Sequence, residues 1–231
     1  MPDLPGSGLS ARQTEADAVA VLASSIDGIA GACQALMLKI TKERFVVLGH
    51  SMGGYVALCM AAQKEQTLLG LGLVNSTAFA DSNAKKETRQ KGMAFMLKNG
   101  TYAFLRTSIP GLFGKLFAQY QGERITALVE ASKTFDSRYA VAYYRAMMTR
   151  ADQSSLLTKL EIPVLFVMGT EDLAAPKADV LEQAALPKVA HVKIMQDVGH
   201  MSMWEATETL NQTLLDFLND CTANGGEGTV H

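Results

Sequence analysis

An α/β fold, with a mostly parallel sheet flanked by helices, is the fold class this sequence predicts, on three observations. Four short runs, "RFVVLG" (44–49), "LLGLGLVN" (68–75), "IPVLFVMG" (162–169) and "AHVKIM" (190–195), are apolar almost throughout rather than alternating. Strands covered on both faces read this way. Stretches with helical spacing separate the runs, as in strand–helix repeats. The segment from Phe79 to Ser155 has helical patterns and no convincing strand, which predicts a helical cap inserted between two strand–helix blocks.

Taken in order, the elements have local reasons. From Thr14 onward, Leu22, Ile26, Ile29, Cys33, Leu36 and Ile40 recur every three or four residues, as on one helix face. Thr14 with Asp17 suits a capping box at its start. Residues 52–64, rich in Ala, Leu and Met, form the helix after the first strand. Within the insertion, helices are expected over 84–98 (stopped by Gly100), 122–134, and 137–150 with Ser137 as cap. The insertion's Met93, Phe95, Met96, Phe104, Phe113, Tyr143, Tyr144, Met147 and Met148 either line an adaptable apolar pocket or pack helix on helix. Trp204 begins a last helix in which Thr207, Leu210, Leu214 and Phe217 share a face. The Gly-rich tail 222–231 is expected to be disordered. The expected boundaries are therefore 1–78 and 156–221 for the core, 79–155 for the cap and 222–231 for the tail.

Composition narrows the function. The 231 residues can bury a proper core. A formal net charge of -2 gives no reason to expect nucleic acid or an anionic membrane as partner. The three cysteines, Cys33, Cys59 and Cys221, are odd in number and widely spaced. They make neither a disulfide framework nor a zinc pattern, and suit a reducing compartment. No apolar stretch reaches transmembrane length, and residues 1–15 lack the basic start and apolar centre of a signal peptide. A cytoplasmic, soluble protein is expected.

The chemistry is carried by "VVLGHSMGGYVAL" (46–58), where an apolar strand stops at Gly49-His50-Ser51-Met52-Gly53 and a helix follows at once. A serine hydroxyl is a poor nucleophile unless held exposed, near a base, and beside donors for the oxyanion that forms. A strand turning directly into a helix does this, with strained dihedrals at the apex and tiny residues two positions either side. Gly49 and Gly53 supply that room, and Gly54 relaxes it further. The Met52 N–H, at the positive end of the helix, is then an oxyanion donor. Such an elbow calls for an acid and then a histidine downstream, each just after a strand. Of four histidines, His50 abuts the serine and shapes the elbow, His191 starts a strand, and His231 ends the tail. His200 is left as the base. Asp172, three residues past Gly169, is preferred as the acid over Glu171 and over Asp197, which lies too near His200 in sequence.

The motifs "DLPGSGLS" (3–10), "GHSMGG" (49–54), "GTEDLAAP" (169–176) and "VGHMSMWE" (198–205) together resemble the α/β-hydrolase superfamily, in its capped serine-hydrolase form. The resemblance covers nearly the whole chain and implies Ser51 as nucleophile, Asp172 as acid, His200 as base and Met52 as oxyanion donor. It makes "NSTAFADS" (75–82) the passage into the cap, with Phe79 there and Met201 beside His200 as substrate-binding candidates. It also implies three further strands and a His-Gly oxyanion loop ahead of Asp3, where this sequence has only Met1 and Pro2. The first strands and the second oxyanion donor thus have no counterpart. The strand at 44–49 is expected to leave one edge open, through which copies could associate.

The expected function is cleavage of a small or medium apolar ester or related acyl bond through an acyl-enzyme on Ser51, with no metal or organic cofactor. Its partner is a small apolar substrate. A serine at the apex argues against dehalogenase or epoxide-hydrolase chemistry and leaves esterase, carbon–carbon bond hydrolase and perhydrolase open. The second reading is a catalytically impaired or ligand-binding protein of the same fold.

Overall fold

Each of the four apolar runs forms a strand in the computed structural model of the chain, which describes residues 1–12 and 16–225. They are β1 (Phe45–His50), β2 (Leu68–Val74), β3 (Val164–Gly169) and β4 (Ala190–Met195). The sheet is parallel throughout, in the order β1-β2-β3-β4. Twelve α-helices accompany it among the described residues. In chain order these are α1 (Ala16–Ala23), α2 (Ile26–Ile40), α3 (Met52–Lys64), α4 (Asn83–Asn99), α5 (Thr101–Ser108) and α6 (Lys115–Tyr120). There follow α7 (Gly122–Ala131), α8 (Ser137–Thr149), α9 (Ser154–Leu157), α10 (Lys177–Ala184), α11 (Ser202–Glu205) and α12 (Thr207–Gly225).

The chain packs as two compact units. The sheet unit comprises residues 41–78, 112–120 and 153–231, and the helical unit 1–40, 79–111 and 121–152. This grouping differs from the expected boundaries of core and cap at three places: residues 1–40 join the helical unit, and 112–120 and 153–155 join the sheet unit.

In the sheet unit, β3 is buried along its whole length, and its residues alternate between two cores. Val164, Phe166 and Met168 pack on one face with Leu71 and Leu73 of β2, Ala57, Leu58 and Ala61 of α3, and Val180 of α10. Leu165 and Val167 face the other way, onto Leu210, Phe217 and Cys221 of α12. Burying each large side chain contributes about 1.5–3 kcal/mol, which is why an apolar run with no polar face forms a central strand. β1 differs, being half-buried at most positions. Among the described residues its only strand partner is β2.

The helical unit is tied at both ends. Asp81, whose carboxylate is fully buried, pairs with Arg89 of α4 at 2.5 Å and with Arg150, just past α8, at 2.7 Å. The Tyr143 hydroxyl of α8 donates to the Pro5 carbonyl at 2.8 Å and lies 2.7 Å from Ser7 Oγ. These bonds fix the N-terminal loop on α8, so residues 1–40 group with the helices. Of the aromatics expected in a pocket, Phe104 packs edge-on against Tyr144, whereas Phe113 lies in the sheet unit, stacked on Phe117.

Several expected boundaries shift for local reasons. The helical face expected from Thr14 to Ile40 is split into α1 and α2 at Ser24 and Ser25, where Ser25 Oγ accepts the Gly28 N–H. A serine hydroxyl favours a helix start over a helix interior. Ile26, Ile29 and Cys33 are buried, but Leu22, Leu36 and Ile40 are exposed. Asp136 rather than Ser137 caps α8, its carboxylate accepting the Arg138 N–H at 2.8 Å. The last helix begins at Thr207, and Trp204 sits in the short α11. The expected tail is helical as far as Gly225; 226–231 and the Thr14 half of the capping box lie outside the described residues. No helix among the described residues is long and apolar enough to cross a membrane.

Candidate active site

A single residue, Ser51, separates the end of β1 at His50 from the start of α3 at Met52. It adopts φ 52° and ψ −119°, a conformation that costs a non-glycine residue about 1–3 kcal/mol. Backbone bonds hold it there. The Ser51 N–H donates to the Val74 carbonyl at 3.0 Å, and its own carbonyl accepts from Gly54 N–H at 2.9 Å and Ser76 Oγ at 2.8 Å. A Cβ on Gly49 would run into the Gly53 carbonyl, and one on Gly54 into the Ser76 hydroxyl. At Gly53 it would meet nothing within 4 Å. The room expected from Gly49 and Gly53 thus comes from Gly49 and Gly54, because the chain crowds at the backbone of 53 and not at its side. Met52, the first residue of α3, has no acceptor for its N–H within the helix.

Ser51, Asp172 and His200 all belong to the sheet unit and form one hydrogen-bond chain. His200 Nε2 lies 2.8 Å from Ser51 Oγ. Its Nδ1 lies 2.9 and 3.0 Å from the two Asp172 oxygens. A carboxylate only accepts, so Nδ1 carries the proton and Nε2 is left to accept from the serine. Asp172 and His200 are buried, at 4% and 5% exposure. Burial alone would raise the Asp172 carboxyl; the His200 bond and charge, with the Ala175 and Asn75 donors, outweigh it and hold the group below its ordinary value.

The rival acids are occupied elsewhere. Glu171 accepts the Lys115 N–H at 2.6 Å, and Asp197 is exposed, beside Gln196. Met201 adjoins His200 as expected, its N–H turned to Glu205. Phe79 belongs to the helical unit, where its carbonyl accepts from Arg150 at 2.8 Å. His191 sits edge-on to Phe217, and His231 lies outside the described residues.

Two neighbours have a larger part than the sequence indicates. Asn75, fully buried at the end of β2 with φ 47°, donates to Asp172 Oδ2 at 3.0 Å and to the Gly199 carbonyl at 3.1 Å. Its own oxygen accepts from the buried Ser202 at 2.5 Å. His50 Nε2 lies 2.8 Å from the His200 carbonyl. Burial first, then the nearby His200 charge, lowers the His50 pKa to about 4, so it is a neutral donor there. An asparagine closing an apolar run is the only sequence signal for Asn75. Among the described residues, no group of three or more His, Cys, Asp or Glu is placed to hold a metal ion.

A strained serine between strand and helix, bonded to a histidine that a buried aspartate holds, is the arrangement of one widespread fold. The sequence profile of the alpha/beta hydrolase fold matches residues 1–207. The chain belongs to that family. Among solved structures, it is similar to a thermophilic esterase from Thermogutta terrifontis, with a TM-score of 0.77 and 25% identity over 85% of this chain and 73% of the other. It also shares the fold of an enol-lactonase from Burkholderia xenovorans, with a TM-score of 0.75 and 24% identity over 84% and 73%. By sequence it is 27% identical to the dihydrolipoyllysine-residue acetyltransferase component of an acetoin cleaving system from Pseudomonas putida, over 94% of this chain. The chain spans about half (55%) of that relative's length. It is 24% identical to a putative carbamate hydrolase, RutD, from Acinetobacter baylyi, over 84% of this chain and 75% of the relative.

Proposed function

We propose that the chain carries the acyl-transfer site of a serine hydrolase, which cleaves a small or medium apolar ester or a related acyl bond. The observation that supports this most is the 2.8 Å contact between Ser51 Oγ and a His200 whose other nitrogen rests on Asp172. In this reading Nε2 takes the Ser51 proton as Oγ attacks the substrate carbonyl. Asp172 keeps the imidazole in the accepting tautomer and stabilises the cation that forms. The Met52 N–H, at the positive end of the 13-residue α3, donates to the tetrahedral oxyanion; each such donor is worth about 10²–10³ in turnover. His200 then returns the proton to the leaving alkoxide, and water, activated by the same base, releases the acyl group from Ser51. The residues named supply every proton transfer. The likeness to the Thermogutta esterase favours a carboxylic ester among the acyl substrates.

Hydrolysis of p-nitrophenyl butyrate tests the proposal. Ser51→Ala is expected to lower turnover by about 10⁶-fold. A variant as active as the parent chain overturns it.

A further inference from the structure

Every backbone polar group from Gly199 to Met201, the stretch that carries His200, has a partner. The Gly199 carbonyl accepts from Asn75, and the His200 carbonyl faces His50 Nε2. The His200 N–H donates to the Leu112 carbonyl at 2.7 Å, and the Met201 carbonyl accepts from Trp204 and Glu205 N–H. The two remaining donors flank the base directly and go to one side chain. Gly199 N–H donates to Glu205 Oε2 at 2.9 Å, and Met201 N–H to Glu205 Oε1 at 3.0 Å. A third bond reaches further. Gly114 N–H donates to Oε2 at 2.7 Å, so the same carboxylate also holds the 112–120 segment, whose Leu112 carbonyl receives the His200 N–H.

We infer that Glu205 is a positioning residue: its carboxylate clamps the backbone on both sides of His200 and so sets where the imidazole sits against Ser51 and Asp172. The inference rests on the serine-hydrolase reading above and deepens it. Charge is what suits Glu205 to the place. An ionised carboxylate offers acceptor sites on both oxygens and no donor, and charge-assisted bonds to N–H groups are about twice as strong as neutral ones. Three N–H groups converging on two oxygens fit nothing else of this shape. A glutamine would present an amide N–H₂ toward at least one of the three donors, leaving it unpaired. Aspartate, shorter by one methylene, loses reach.

The clamp has a rigid base. Glu205 ends α11, whose backbone bonds to Met201, so the side chain returns to the loop within a single turn. Space is tight as well: a Cβ on Gly199 would strike the Gly114 nitrogen and the Leu112 carbonyl. The loop backbone at Gly199 therefore lies directly against the 112–120 segment. Losing the Glu205 bonds removes the acceptors of both N–H groups beside His200. His200 must present Nε2 to Ser51 while Nδ1 stays on Asp172, and a displacement of the order of 1 Å from a change remote from the chemistry costs about 10²-fold in rate.

Glu205→Gln and Glu205→Ala, measured beside the parent chain and Ser51→Ala, form the test. Active sites are counted with a fluorophosphonate, so that rates are per folded site. The expected result is a fall in kcat of about 10²-fold for Ala with KM unchanged, and a smaller fall for Gln, which keeps one acceptor oxygen. Amide exchange is expected to quicken at both Gly199 and Met201 in Glu205→Ala, and at one or both of them in Glu205→Gln. Unchanged kcat per site overturns the inference, as does a loss of activity that follows only the number of folded sites. If Ala fails to fold, the Gln variant, of the same shape as the parent, decides between these outcomes. If the folded parent chain neither hydrolyses the ester nor takes the label, the serine-hydrolase reading is what fails. Amide exchange still decides the clamp: protection that survives at both Gly199 and Met201 in Glu205→Gln refutes it.

Discussion

The turn at Ser51 and the loop at His200 each hold one side chain of the proposed triad in place, by opposite means. At Ser51 the backbone does the work. A strand and a helix meet at one residue, Gly49 and Gly54 allow the close approach, and most of the partners are main-chain groups. At His200 side chains do it: Asn75, His50 and Glu205 arrive from separate elements and bond the loop's main chain. The first device is local and strained. The second is largely long-range and built from polar groups, which are costly to leave unpaired when buried. The difference teaches where each is vulnerable: the elbow to added volume, the loop to a lost acceptor, donor or charge.

Substitutions can set the two against each other. Beside the loss expected in Ser51→Ala, the larger effect is expected at Asp172, the acid behind His200, which accepts from His200, Asn75, Ala174 and Ala175. Asp172→Asn keeps the volume but lets the imidazole take the wrong tautomer, and kcat for p-nitrophenyl butyrate is expected to fall by about 10⁴-fold.

On the elbow side, volume is the test. Gly49→Ala forces a methyl group into the Gly53 carbonyl and is expected to cost about 4 kcal/mol or more in denaturant unfolding. Gly53→Ala, two positions past Ser51, is its control: the methyl enters open space inside a helix, and stability is expected to change by less than about 1 kcal/mol, toward the more stable side. Equal damage from both would mean that the crowding at the elbow is not where the structure has it.

The pH dependence separates the regions further. His50 has an ordinary value of 6.5 and is lowered to about 4 by burial and by His200. Between these values the unfolded chain binds a proton that the folded chain does not, so stability rises with pH across the window and is lost on acidification. The shift is worth about 3 kcal/mol. Asp172, held below its ordinary value, acts with the same sign in a lower window: its contribution is present above 3.8 and lost as pH falls further. Denaturation of the parent chain and of His50→Gln across this range is expected to differ by the loss of the upper slope. Parallel profiles would remove His50 from the account of the loop.

The same contrast explains what the sequence makes legible. The four strands are readable because burial on both faces leaves an uninterrupted apolar run, a local property. The elbow is readable because the glycines it needs, Gly49 and Gly54, stand within six residues around Ser51, although the Val74 and Ser76 groups that complete it lie further along the chain. Asp172 and His200 follow from strand ends and chain order. The clamps do not, since nothing near Asn75 or Glu205 in sequence marks the main-chain groups they reach. The break at Ser24 and Ser25 and the choice of Asp136 over Ser137 as cap escape sequence reading for a related reason. Adjacent residues of similar capping strength compete, and the geometry of a single hydrogen bond decides between them.

The central claim is that His200 and Asp172 activate Ser51. Labelling of the intact chain by a fluorophosphonate, with the modified peptide located by mass spectrometry, tests it most directly. The result expected is one label on Ser51, lost in Ser51→Ala and slowed by orders of magnitude in His200→Ala. A label that forms at the same rate without His200, or no label on folded protein, contradicts it.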